Sequence, residues 1–334
     1  MLKLSVIIPV YNMQKWLSCC LKSLINQDYD NYEIICVNDG SKDDSLLILK
    51  EYQSKYPALF KIIDQTNQGH SKARQNGFDI ATGQYVWFVD ADDMVDLKSV
   101  PAIIKYMDDN HCEFLTIGYV PIPDGTEYEF VQDCARNIVL AETSQSRRNA
   151  CSGNRLFLRE MLINNNISWD SRLSPNDDTV FLYYVTIYAK NQLIVKGANY
   201  YHRQSPTSVS HTKSNAHTRR TIESFMIMGE IYEKELSKPH TAEVLENTRQ
   251  RLVLTTKSIL SFASLSYTKE EQFELLKRLK ERGWYPYKSI SFQLTYKTNL
   301  KVLIMDWLQY FFPCEWFYKL YCSLIRKFGL VRKN

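Results

Sequence analysis

The chain has 334 residues, of which 45% are hydrophobic and 23% charged, with a formal net charge of +4. That apolar share fills a sizeable core, in one large α/β domain or two smaller units. So small a positive excess argues against a dedicated nucleic-acid binder, which would carry a basic stripe. The 22 tyrosines stand out; a hydroxyl on an apolar body suits sugar-facing clefts and wet interfaces, and a compositional bias explains the number equally well.

Leu4 to Val10 is an apolar, β-branched run closed by Tyr11 and Asn12. No small-residue cleavage site follows it, so it reads as a first strand and not as a signal peptide. Trp16, Leu17, Cys20, Leu21, Leu24 and Ile25 share one face of a helix. A second strand spans Tyr32 to Val37 and stops at Asn38, Asp39, Gly40 and Ser41. Leu46, Leu47 and Leu49 open another helix. Phe60 to Ile63 gives a third strand, Ser71 to Ile80 a helix, and Tyr85 to Val89 a fourth strand running into Asp90, Ala91, Asp92 and Asp93. Short apolar strands alternating with helices predict a mostly parallel sheet covered on both faces. Ligands of such sheets sit beyond the carboxyl ends of the strands, where Asn38-Asp39-Gly40 and Asp90 to Asp93 both fall.

From about Glu113 the pattern is less regular. Phe114 to Val120 reads as a strand, Pro121 to Gly125 as a turn, and Leu156 to Ile163 and Thr179 to Ala189 as helices. Between those helices Ser174 to Asp178 forms a loop able to cap the second. Beyond about 212 the chain reads as helical, over Thr218 to Leu236 and Glu243 to Leu265. The expected division is therefore 1–112, 113–212 and a helical region 213–334. No stretch of about 18 uncharged apolar residues occurs, so no spanning helix is expected. The eight cysteines are scattered. Without a C-x-x-C or Cys/His cluster they suit reduced thiols of a cytoplasmic protein, and any metal site would be built from oxygens.

Asp90-Ala91-Asp92 is the centre of the chemical reading. A strand end that delivers two carboxylates two residues apart can hold a hard divalent cation with one and a ribose hydroxyl with the other. Such a cation neutralises a departing diphosphate. D-x-D alone is a weak signal, and its place after a buried strand is what strengthens it.

Ser5-Val6-Ile7-Ile8-Pro9-Val10-Tyr11-Asn12, Val37-Asn38-Asp39-Gly40-Ser41, Asn67-Gln68-Gly69, Ala73-Arg74 with Gly77, Ala81-Thr82-Gly83 and Tyr85 through Asp93 follow one another in about 95 residues. In order and spacing they resemble the inverting family 2 glycosyltransferases of the GT-A fold. The likeness is patchy through Gly153 to Phe157, Asn176 to Phe181 and Tyr201-His202-Arg203, and fades beyond about 212.

The resemblance implies a Rossmann-like α/β domain with a helical C-terminal region. It also implies transfer of a sugar from a nucleotide-sugar donor, commonly a UDP-sugar, to a sugar or lipid-linked acceptor in polysaccharide or glycolipid assembly. Pro9 and Tyr11 would line the nucleotide pocket, Asp39 would accept from the base, Arg74 would meet phosphate, Asp90 would bind ribose and Asp92 the Mn2+ or Mg2+ ion. Asp93 would cap the following helix. Gln75 stands where the family has asparagine. Asp177-Asp178 matches the family's Glu-Asp pair, with Asp178 as the base and Asp177, shorter than the usual glutamate, orienting it or meeting the acceptor. His202-Arg203 would close over the diphosphate.

Two other functions are weighed. A sugar nucleotidyltransferase needs a glycine-rich loop after the first strand, where this chain has Pro9-Val10-Tyr11-Asn12. A non-catalytic sensor of sugar nucleotides would not need Asp39, Asp90, Asp92 and Asp178 together. The tail from Lys301 mixes Trp307, Phe311, Phe312, Trp316 and Tyr321 with Lys319, Arg326, Lys327 and Arg332, broken by Pro313. It fits a helix lying on a membrane surface at the cytoplasmic face, a helix packed on the domain, or a dimer contact.

Overall fold

The structure is a computed structural model that describes residues 2–25, 27–133, 140–142, 152–204 and 214–285. The chain forms two compact units, one of residues 1–171 and 177–211, the other of 172–176 and 212–334. The expected amphipathic tail lies outside the described residues.

The first unit follows the strand–helix alternation: β1 (Leu4–Val10), α1 (Leu17–Ile25), β2 (Tyr32–Asp39), α2 (Ser45–Lys55), β3 (Phe60–Gln65), α3 (His70–Asp79) and β4 (Tyr85–Phe88). Then come β5 (Met94–Val95), α4 (Ser99–Asp109), β6 (Phe114–Pro123), α5 (Glu129–Asp133), β7 (Ala141–Glu142), β8 (Arg155–Leu158), α6 (Arg159–Asn164), α7 (Asp177–Tyr188) and β9 (Gln192–Gln204). The strands lie in the order β3-β2-β1-β4-β8-β6-β9-β5, with β7 on β9. Pairing is parallel through β3, β2, β1 and β4. Beyond β4 the sheet is mixed, because β8 runs antiparallel to both β4 and β6 while β9 runs parallel to β6.

Side chains on successive residues of a strand point to opposite faces, so each strand serves two cores. Leu4, Val6, Ile8, Val10, Tyr85 and Trp87 pack in one core with residues of α1, α2 and α4. Ile7, Val86 and Phe88 pack in the other with residues of α3, α6 and α7. Helices thus cover both faces, which is why the strand sequences are apolar without a polar side.

Three expected elements differ. Leu156 to Ile163 is not one helix; β8 takes its first part and α6 its second. Leu156 and Phe157 fall in opposite cores, an alternation that a short apolar run does not distinguish from a helix. The expected turn at Pro121 to Gly125 begins later, since β6 runs on to Pro123 against β9. The expected helix from Thr179 already begins at Asp177, so both aspartates lie in its first turn, where the helix dipole favours negative charge.

In the second unit α8 (Asn215–Leu236), α9 (Ala242–Ser266) and α10 (Lys269–Glu281) each start at a Ser or Thr N-cap. Their core joins Ile222 and Met226, Ile259 and Ala263, and Leu276 and Leu279 to Trp284. A Cβ on Gly229 would lie 2.3 Å from the Trp284 ring, so glycine lets the indole lie on α8.

Candidate functional site

The chain folds β1 and β2 side by side, so their carboxyl ends place two loops together. Asn12 donates its backbone N–H to Ser41 Oγ at 3.1 Å and accepts the Lys42 N–H on Oδ1 at 2.8 Å. The Met13 N–H reaches Ser45 Oγ at 2.8 Å. These bonds fix the loop that presents Tyr11, which is 41% exposed. Pro9 sits past the last β4 partner of β1, at Ile7, where no ladder donor is needed on that side. At the end of β2 the Asp39 carboxylate accepts from Gln65 Nε2, the Gln68 N–H and the Gly69 N–H, each at 2.8 Å. Asp39 therefore fixes the chain entering α3.

Arg74 on α3 is buried. Its guanidinium donates Nη2 to Asp90 Oδ1 at 2.7 Å and Nη1 to Asp177 Oδ2 at 3.0 Å, and it lies over the Trp169 ring at 4.7 Å. The group expected to meet phosphate is thus a bridge between two carboxylates from distant parts of the chain. The same Asp177 oxygen also takes Ser71 Oγ at 2.8 Å and His70 Nε2 at 3.0 Å. Burial alone would raise the Asp177 carboxyl; the His70 hydrogen bond and the Arg74 charge outweigh it and hold it near 2, about 2 on the pH scale. Asp178 is the contrast. Burial pushes its carboxyl up to about 6, against the pull of Arg74, and the Asp177 charge adds to the rise. Ser152 donates to it, while its Oδ1 is buried with no hydrogen-bond partner among the described residues.

The acidic segment after β4 is held from β9. Asp93 does not cap a helix; α4 begins only at Ser99. Its Oδ2 accepts from Tyr200 Oη at 2.5 Å and meets His202 Nδ1 at 3.1 Å, and its Oδ1 accepts the Arg203 N–H at 2.7 Å. Tyr200 Oη also accepts the Asp90 N–H at 3.2 Å. Burial would lower the His202 imidazole, but the Asp93 hydrogen bond and charge, with Asp90 and Asp92, raise it to about 9. His202 stacks on Tyr119 and stays about one-third exposed.

Arg203 differs from expectation. It is 1% exposed, its Nε donates to the Asp92 carbonyl at 2.8 Å, and Nη1 gathers the carbonyls of Pro123, Asp124 and Thr126. With its guanidinium 3.9 Å over the Trp16 ring, it fastens loops; its Nη2 is buried without a hydrogen-bond partner among the described residues, and at 1% exposure the side chain offers no surface to a diphosphate.

The Asp92 carboxylate forms no side-chain hydrogen bond in this network. Burial, then the charges of Asp93 and Asp90, push it up to about 7 against the pull of His202, so a bound cation would favour its ionised form. Among the described residues no three acidic, His or Cys side chains converge as a metal cage. A divalent ion would take Asp92 as its protein ligand and complete its shell with phosphate oxygens and water, as Mg2+ commonly does. The residues fit on those terms.

Residues 5–165 match the family model described as Glycosyl transferase family 2. The segment 5–165 belongs to that family. The chain is 30% identical over 215 residues to the putative glycosyltransferase EpsH of Bacillus subtilis, covering 61% of this chain and 62% of that one. It is 25% identical over 205 residues to the poly(ribitol-phosphate) beta-N-acetylglucosaminyltransferase TarS of Staphylococcus aureus, 60% of this chain and 35% of TarS. The structure of TarS with UDP-GlcNAc superposes with a TM-score of 0.65 at 24% identity, over 84% of this chain and 80% of that one. A mannosyltransferase from Pyrobaculum calidifontis with GDP-Man and Mn2+ gives 0.50 at 16% identity, covering 94% and 88%. The fold is GT-A, as the motifs imply. The chain spans less than two thirds of the length of the curated relatives it matches.

Sequence reading did not find His70, Ser71, Ser152 or Tyr200. None has a motif of its own; each is defined by a partner between 26 and 110 positions away in the sequence, a span that only the folded chain brings together. His70 and Arg74, one turn apart on α3, are the nearest to a signal.

Proposed function

We propose that this chain transfers a sugar from a nucleotide-sugar donor to an acceptor hydroxyl with inversion, and that Asp178 is the base. The observation that carries this reading is the asymmetry of the acidic pair. Asp177 is clamped by three donors on one oxygen, while Asp178 keeps an oxygen without a partner among the described residues. An acceptor hydroxyl gives its proton to Asp178 as its oxygen bonds the anomeric carbon. The bond from that carbon to the diphosphate breaks on the opposite face, and its electron pair leaves with the nucleoside diphosphate. Asp92 would hold a Mn2+ or Mg2+ ion, which when bound supplies positive charge to the leaving diphosphate. Tyr11 and Asp39 would border the base, Asp90 the ribose, and the His202 imidazolium, held by Asp93, supplies a cation beside the acidic segment.

A UDP-sugar is the favoured donor, on the UDP-GlcNAc complex of TarS. A wall or capsule polymer, or its lipid-linked precursor, is the favoured acceptor class, on the poly(ribitol-phosphate) named for TarS. The aromatic and basic tail fits a place at the cytoplasmic membrane face, near such an acceptor.

The test compares Asp178→Asn with Asp177→Asn. A positioned base contributes about 10²–10⁴-fold in rate, so Asp178→Asn should lose that much kcat and keep donor affinity near normal. Asp177→Asn should be milder. Wild-type transfer by Asp178→Asn, with Asp177→Asn inert, would falsify the assignment.

A further inference from the structure

The proposed chemistry leaves one charged side chain of the site unused. His70 opens α3, its side chain 37% exposed, and its Nε2 lies 3.0 Å from Asp177 Oδ2. That oxygen also takes Ser71 Oγ and Arg74 Nη1, more donors than its roughly two lone-pair sites serve well. Asp177 is 3% exposed, so the three donors come from α3 alone and close that oxygen to any incoming hydroxyl. Of the three, Arg74 is shared with Asp90 and Ser71 is neutral, which leaves His70 as the cation given wholly to Asp177. The imidazole Nδ1 has no hydrogen-bond partner among the described residues.

We propose that His70 is a positioning residue: by binding Asp177 it draws that carboxylate onto α3 and leaves its neighbour Asp178 as the one free to meet the acceptor hydroxyl. This rests on reading Asp178 as the base. The charged groups that face the ring are Asp177 of α7, Arg74 of its own helix and Asp90 after β4; Asp178 feels the same Arg74, Asp177 and Asp90. Burial works against a charge on the ring, but the Asp177 hydrogen bond and charge outweigh it and keep the imidazole protonated above its usual range. That positive charge offsets Asp177. Without it the full Asp177 charge falls on Asp178, which then holds its proton more tightly and loses its place as a base at low pH.

Two measurements on the full chain test the idea. The first needs no substrate: long-range proton–nitrogen spectra of the histidine rings, with His70 assigned by its loss in His70→Gln. His70 should carry its proton on Nε2 and titrate above the usual histidine range of about 6.5. In Asp177→Asn it should titrate below that range, because burial and the Arg74 charge then outweigh the remaining pull of Asp90. A His70 titration that does not move in Asp177→Asn overturns the pairing.

The second measures hydrolysis of UDP-N-acetylglucosamine with Mn2+, water serving as acceptor. His70→Ala should lower kcat about tenfold or more, with KM unchanged and the acid limb of the rate displaced to higher pH. His70→Gln, whose amide nitrogen reaches the place of Nε2 but carries no charge, should restore most of the plateau kcat while the acid limb stays displaced. Equal loss in both variants, or a loss confined to KM, means the imidazole itself touches substrate and overturns the positioning role. Asp178→Asn separates the two readings. If it is inert while His70→Ala turns over normally with an unmoved acid limb, only the His70 role is wrong; if it is active, the base is wrong.

Discussion

Two adjacent aspartates with the same intrinsic chemistry are pulled in opposite directions by their surroundings. Asp177 meets a histidine, a serine and an arginine and stays ionised; Asp178 meets burial and its neighbour's charge and is pushed up to about 6. A base works only when ionised, and Asp178 is ionised above its pKa. The rate should therefore be flat above about pH 7 and fall tenfold per unit below about 6. A kcat profile at saturating donor and acceptor checks this, and an acid limb that survives unchanged in Asp178→Asn belongs to another group. At the other end of the site, Asp92→Asn keeps the shape and removes the charge offered to a cation. Donor binding with Mn2+ should weaken about tenfold or more, about 1.4 kcal/mol or above, while binding without metal is unchanged. Calorimetry with and without the ion measures both. The place of the acidic run at the end of β4 was legible in the sequence, but the part of Asp93 was not, because its partners Tyr200, His202 and Arg203 lie on a distant strand. The role of Arg203 was not, because an arginine in a polar strand end gives no hint that four carbonyls and an indole await it.

At the scale of elements, β1 to β4 were legible because each is a short apolar run stopped by turn-forming residues. β9 was not read as a strand. Its sequence is interrupted by Lys196-Gly197 and its buried positions follow no single period, since β6 lies along its length with a register shift while its other partner changes from β7 to β5. Where helix and strand meet, space decides. A Cβ on Gly77 of α3 would lie 2.5 Å from Ile7 Cγ2 on β1 and 3.2 Å from Val37 Cγ2 on β2. Gly77→Ala gains about 1 kcal/mol of helix propensity but overpacks a filled core, at about 1–3 kcal/mol. We expect net destabilisation, and also slower transfer, because α3 carries His70, Ser71 and Arg74, which hold Asp177. Urea unfolding decides the sign; a more stable variant would mean that α3 can lift from the sheet without penalty.

For the whole molecule, the family motifs, the described helices and the tail carry different kinds of information. The motifs reveal the first unit. The second has three helices with ordinary caps and an apolar core, which sequence periodicity reads as helices without saying what they do. The tail is argued from composition alone. Each Lys or Arg at an anionic surface contributes about 1 kcal/mol and less at high salt, so removing residues 301–334 should release the protein from vesicles rich in anionic lipid. Truncated protein that sediments as well as the full chain points to another segment.

The buckle between the acidic segment and β9 separates what is inherited from what folds. The matched family segment ends at residue 165, yet Tyr200, Tyr201, His202 and the Arg203 N–H, which hold Asp93 and Asp96, lie on a strand that starts at Gln192. A partner more than one hundred positions away must wait for a large loop to close, and such long-range closures slow folding. The acidic segment is thus completed late, by a strand that lies beyond the matched family segment. Excised at its boundary, the matched segment would carry Asp93 and Asp96 as buried carboxylates stripped of their donors. A graft meant to move this donor site to another scaffold has to carry β9 with it.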